Sequence, residues 1–151
     1  MRFGLDSIPL AKQGGTGMQD SFKEGVSTTK RVTIDESRTI SVAGDEFRVY
    51  ATPDMIRDIE HTCKDYLLEF AGPGEDSVGT QVNIAHVGAT LMGMSAEITA
   101  TVKTLDRRRV VFEISVKDDL EEVGKGTHDR FITDASKSAE RLRAKAEKAG
   151  L

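Results

Sequence analysis

The sequence predicts an α+β domain in which one curved antiparallel sheet wraps around a long central helix. Three observations predict it. Between Thr52 and Phe70 apolar residues recur at 55, 56, 59, 63, 66, 67 and 70, a stripe of helical period. From Val78 to Thr133 the period changes to two, in segments separated by short turns. One helix can cover so many strands only if the sheet curves around it, and the alternation calls for a sheet with one buried face.

Composition sets the class. The chain has 151 residues, a length that suits one domain, and its 38% apolar and 30% charged content is that of a soluble globular protein. It has no Trp and only 5% aromatic residues, so the core must rest on Val, Ile, Leu, Met and Phe. A net charge of −4 argues against nucleic-acid binding. No run approaches the roughly 18 apolar residues of a membrane span. The opening MRFGLDSIPLAKQGG lacks the apolar core of a signal peptide. A single cysteine allows no internal disulfide and fits a reducing compartment. The expected location is the cytoplasm, with no membrane and no nucleic-acid partner.

The elements follow in order. Residues 1–20 carry Gly4, Gly14, Gly15 and Gly17 without periodicity and are expected to be a flexible N-terminal extension. The β-branched residues between Val26 and Ile34 predict a strand over about 27–34. Asp35 to Arg38 breaks it, Thr39 to Val42 predicts a short extended piece, and Gly44-Asp45 turns it. Thr52-Pro53-Asp54 is a helix start: Thr is a favoured N-cap, Pro suits the first helical position, and the acid complements the dipole. Ala71-Gly72-Pro73-Gly74 stops that helix after Phe70. Val78, Thr80, Val82, Ile84 and His86 then alternate with Gly79, Gln81, Asn83 and Ala85, predicting a strand with one apolar face. Further strands are expected over 94–104, 109–117 and 122–133, with turns at 105–108 and 118–119. Residues 135–149 are rich in Ala, Lys, Glu and Arg and predict a solvated C-terminal helix. The domain proper is expected over 21–134, with the extension at 1–20 and the helix filling 135–151.

Two elements each set one ionisable group on an otherwise apolar face. On the helix, Glu60 shares a face with Ile56, Cys63 and Leu67. A carboxylate there either reaches solvent at the edge of the stripe or stands in a cleft, where burial favours proton transfer. His86 follows Val82 and Ile84. It is either a core histidine donating to a backbone carbonyl or a neutral general base. Thr52 is first of all an N-cap, yet a hydroxyl at a helix N-terminus can also bond a substrate or act as nucleophile beside a base. Other features are bland. Arg107, Arg108 and Arg109 read as a solvated hairpin tip, with a phosphate grip as the alternative. Cys63 reads as an inert buried thiol. His61, His86 and His128 lack metal-ligand spacing, so no metal is expected. No phosphate-binding loop and no nucleophile-elbow serine is present.

The run Thr52, Glu60, Gly79-Thr80 and His86, followed by Gly126-Thr127-His128-Asp129-Arg130, resembles the fluoroacetyl-CoA thioesterase family of the hot-dog superfamily. The resemblance covers about residues 30–133. It implies hydrolysis of an acyl-CoA thioester without metal or other cofactor, in a homodimer whose sites lie at the subunit interface. It carries the catalytic threonine onto Thr52, the acid onto Glu60 and the histidine onto His86. A glycine near the acyl group falls on Gly79, and a substrate-contacting arginine on Arg130. Either Thr52 or Glu60 attacks the carbonyl, or Glu60 and His86 activate water. In the fluoroacetyl-specific enzyme the segment before the threonine is longer and holds aromatic lid residues. Here Arg38 to Tyr50 is short, with Phe47 and Tyr50 as its only aromatics. The expected substrate is therefore a short or medium acyl-CoA, or another small thioester, cleaved to free acid and CoA. The alternatives are a hot-dog protein that binds acyl-CoA or a small ligand without turnover, and an acyl-thioester hydratase or dehydratase.

Overall fold

The computed structural model describes residues 15–44 and 46–151. Five strands form one antiparallel sheet: β1 (Ser27–Thr33), β4 (Glu75–His86), β5 (Ser95–Asp106), β6 (Arg109–Lys117) and β7 (Glu122–Asp134), in the order β1-β5-β6-β7-β4. Two short strands, β2 (Thr39–Ser41) and β3 (Arg48–Tyr50), make a separate hairpin before helix α1 (Thr52–Phe70). Helix α2 (Ala135–Ala149) follows β7.

Helix α1 lies on the inner face of the sheet. Met55, Ile59, Cys63 and Leu67 are buried at four-residue spacing and pack with Ile98, Val102, Phe112, Ile114 and Ile132. Each such side chain contributes about 1.5–3 kcal/mol on burial, so this stripe holds the helix to the sheet. Helix α2 buries nothing, as its composition predicts. It is held by its ends: Asp134 caps the Ser136 and Lys137 amides, and Gly150 closes it in the left-handed region.

Four sequence expectations are corrected. Of the extension expected at 1–20, residues 1–14 lie outside the described residues, while 15–20 are docked. Met18 and Phe22 are core residues, Phe22 packs at a tilt against Phe70, and the Gly17 amide donates to Glu75. Two apolar side chains four residues apart are enough to seat a segment that shows no period of its own. Asp45 of the expected turn lies outside the described residues; Gly44 has φ +76°. Strand β3 had no sequence signal, because three residues are too few for a period; it forms by pairing with β2 and by a bridge from Val49 to Leu91. Thr52 is not the N-cap. Ala51 occupies that position without a side-chain bond, Thr52 is the first helical residue and Pro53 the second.

The fourth correction matters most. Strict alternation sets Gly79 on the face opposite His86. The register of β4 on β7 shifts between Gly79 and Gln81, leaving Thr80 as a bulge. Its hydroxyl donates to the Asp129 carbonyl at 3.3 Å. Gly79 then opposes Arg130, Val82 opposes His128, Ile84 opposes Gly126 and His86 opposes Gly124. Those partners alternate along β7, so Gly79, Val82, Ile84 and His86 share one face. Val78 opposes Phe131 on the other.

Candidate active site

The first cluster forms where the start of α1 meets the end of β4. Thr52 Oγ1 lies 2.8 Å from His86 Nδ1. Freed from capping, the Thr52 hydroxyl is available to donate to the imidazole. Gly124 favours this approach: a Cβ there would sit 2.8 Å from Met55 Sδ and 3.2 Å from Val116 Cβ, so glycine leaves room for the Met55 side chain between the first turn of α1 and the strand opposite His86. His86 is half-buried, and burial lowers its pKa, against an opposing backbone hydrogen bond at Gly88. The ring is therefore neutral near pH 7 and able to accept a proton.

Tyr50 packs edge-on against the His86 ring, with centroids 6.3 Å apart. Its hydroxyl donates to buried Asp58 at 2.5 Å, and Arg38 Nε donates to the same carboxylate at 2.9 Å. Burial and the neighbouring Asp58 carboxylate raise the Tyr50 pKa, which keeps the phenol protonated as a donor. The Arg38–Asp58–Tyr50 chain thus fastens the β2–β3 hairpin to α1 beside His86. A cleft of about 370 Å³ opens there, lined by Ile40, Val42, Val49, Tyr50, Thr52 and His86, with Val87, Gly88 and Ala89. Apart from Thr52 and His86 its walls are mostly apolar.

The second cluster surrounds Gly79. Arg130 is buried; its Nε donates to Ser77 Oγ at 2.8 Å and its Nη2 to the Ser77 carbonyl at 2.9 Å. A Cβ on Gly79 would lie 3.2 Å from His128 Cε1 and 3.4 Å from Arg130 Nη1, so the missing side chain makes room for these two buried groups directly beneath the strand. Glu60 is half-buried and acts on His128 and Arg130 through its charge; its carboxylate makes no hydrogen bond among the described residues. Cys63 sits one turn away. Burial pushes its thiol up to about 12, the property of an inert core thiol.

A profile of the fluoroacetyl-CoA-specific thioesterase family (FlK) matches residues 34–136. The chain belongs to this family. It is 29% identical over 135 residues to the fluoroacetyl-CoA thioesterase of Streptantibioticus cattleyicolor, covering 85% of this chain and 97% of that one. A solved structure of an FlK variant in complex with acetyl-CoA superposes with TM-score 0.73 at 26% identity, covering 82% of this chain and 98% of that one. A hot-dog-like protein from Thermanaerovibrio acidaminovorans superposes with TM-score 0.75 at 20% identity, over 82% of this chain and 93% of that one, a likeness of fold alone. The fold of this thioesterase-family chain is the hot-dog fold.

Of the residues singled out from sequence, Thr52 and His86 touch, and Gly79 lies against Arg130. The two groups are separate within one chain. His86 opposes Gly124 and Gly79 opposes Arg130, six residues further along β7, or about 20 Å of strand. Glu60 stands about 12 Å along the helix axis from Thr52. Sequence reasoning missed Tyr50, Asp58, Arg38 and Ser77 as members of the site. Asp58 carried a signal, an acid between Met55, Ile59 and Thr62 on the buried side of α1. The other three gave none.

Proposed function

We propose that this protein is an acyl-CoA thioester hydrolase in which Thr52 and His86 act as nucleophile and general base. The observation that carries the reading is the 2.8 Å contact between Thr52 Oγ1 and His86 Nδ1 beside an apolar cleft. With the ring proton on Nε2, His86 takes the Thr52 proton as the hydroxyl oxygen attacks the thioester carbon. The charge that develops on the carbonyl oxygen lies near the start of α1, where the helix dipole favours an anion and the Thr52 amide is the donor, Pro53 having no N–H and the Asp54 and Met55 amides donating to the Ala51 carbonyl. The C–S bond breaks, CoA leaves as the thiol after taking the proton from His86, and water then hydrolyses the acyl-threonine ester. Glu60 is assigned to that water step, and Gly79 with Arg130 to holding the substrate. The acyl chain occupies the cleft walled by Ile40, Val42, Val49 and Val87, whose size and apolar lining support a short or medium acyl group.

The same reading includes a homodimer. β4 is an edge strand, with Val78 50% and Val82 39% exposed. Antiparallel pairing of two such edges about a two-fold near Val82 and Asn83 brings Gly79 of a second copy opposite His86. That juxtaposition joins the two clusters that a single chain keeps apart.

The test is thiol release from acyl-CoAs running from acetyl to decanoyl, with fluoroacetyl and aryl forms, by the wild type and His86→Ala. Turnover on short or medium chains is expected, with kcat lower by roughly 10²–10⁴ in the variant. Turnover unchanged in His86→Ala, or none in the folded wild type, overturns the reading. An acyl group trapped on Glu60 rather than Thr52 overturns the assignment of the nucleophile.

A further inference from the structure

His128 is wholly buried and belongs to no step of the reaction above. Its environment is nevertheless specific. Nδ1 lies 2.9 Å from the carbonyl oxygen of Gln81, the residue that resumes the ladder after the Thr80 bulge. A carbonyl only accepts, so the ring proton sits on Nδ1. Nε2 is then a bare lone pair, and Arg130 Nη1 stands 3.2 Å from it. A guanidinium only donates, so both neighbours demand the same tautomer. Burial, and secondarily the Arg130 charge, hold the His128 pKa below its ordinary value, against the Gln81 hydrogen bond and the charges of Glu60 and Asp129, which raise it.

Arg130 needs such a partner. It is 4% exposed and forms no ion pair among the described residues. Ser77 takes Nε–H and one Nη2–H; His128 takes one Nη1–H. One N–H on each terminal nitrogen is left over, and Nη1 lies 3.4 Å from where a Cβ on exposed Gly79 would be. We propose that His128 is a positioning residue: anchored to the bulge through Gln81 and accepting from Arg130, it holds the guanidinium beneath Gly79 with the second Nη1–H left for substrate. This inference rests on the reading that Arg130 touches substrate.

The experiment compares kcat and KM on the best acyl-CoA for His128→Asn, His128→Gln, Arg130→Gln and the double variant His128→Asn/Arg130→Gln, with circular dichroism and melting temperature for each. Asn can still donate to Gln81 but cannot reach Arg130. Gln carries its amide oxygen near the Nε2 position. His128→Asn is expected to lower kcat/KM at least tenfold, through the same parameter that Arg130→Gln changes. The double variant is expected to be no worse than Arg130→Gln within about twofold, and His128→Gln to regain most of the loss. If Arg130→Gln leaves kcat/KM unchanged, the reading of Arg130 as a substrate contact fails. If Arg130→Gln is impaired but His128→Asn is not, or the two losses multiply, the positioning role fails. Should His128→Asn unfold, ¹⁵N-histidine NMR on the wild type and Arg130→Gln decides. A protonated Nδ1, with an Nε2 resonance that moves when Arg130 is replaced, supports the role. A protonated Nε2, or no movement, overturns it.

Discussion

A threonine hydroxyl is a poor nucleophile unless a base is in contact with it, and Thr52 is in contact with one because Ala51, not Thr52, caps the helix. Thr52→Ser keeps the oxygen and is expected to retain activity within about tenfold, whereas Thr52→Ala should lose at least 10² in kcat; thiol-release kinetics distinguish them. The base must be neutral to act. Since burial lowers the His86 pKa from its reference of 6.5, kcat/KM should stay level down to that pH and fall only below it. A pH–rate profile whose acid limb lies at 7 or above contradicts this assignment. Gly79 is the other residue at which one atom decides. The methyl of Gly79→Ala would press on buried His128 and Arg130, so kcat/KM in thiol-release kinetics should drop about tenfold.

At the scale of elements, the site depends on how closely α1 approaches the sheet. Gly124 sets that distance, with Met55 and Val116 filling the space where a side chain would be. Gly124→Ala is expected to cost about 1–3 kcal/mol in urea unfolding, as overpacking does, and to lower kcat by lengthening the Thr52–His86 contact. An unaffected kcat would uncouple helix approach from catalysis. The bulge at Thr80 acts on β4 in a comparable way. By adding one residue to the strand it rotates Gly79 onto the face that carries His86, Ile84 and Val82. The long strands β4 to β7 were legible in the sequence, because alternation over nine to thirteen residues is a strong signal. The bulge was not, because Val78, Thr80 and Val82 alternate without interruption and nothing in the spacing marks a register shift. The Arg38–Asp58–Tyr50 chain was illegible for another reason: it joins residues 20 and 8 positions apart, through a hairpin whose second strand has no period of its own.

At the scale of the whole molecule, the separation of the two clusters along one chain is the property with the largest consequence. If the proposed two-fold joins them, mixing Thr52→Ala with Glu60→Gln should restore activity. A mixed dimer then holds one site with intact Thr52 from one chain and intact Glu60 from the other. Up to about a quarter of wild-type activity is expected after denaturing and refolding the two variants together, since half the dimers are mixed and each has one whole site. No recovery, with dimers demonstrated by light scattering, would place each site within a single chain. The proposed reacting groups were named from the sequence through its resemblance to the thioesterase family. The periods of helix and strand predicted the fold, because they are local patterns that burial imposes on neighbouring residues. Which groups touch was decided only in three dimensions. Thr52 meets His86 across 34 residues and His128 reaches Gln81 across 47. Such contacts depend on the helix seat at Gly124 and the strand register at Thr80, and a one-residue change in either moves every side chain beyond it.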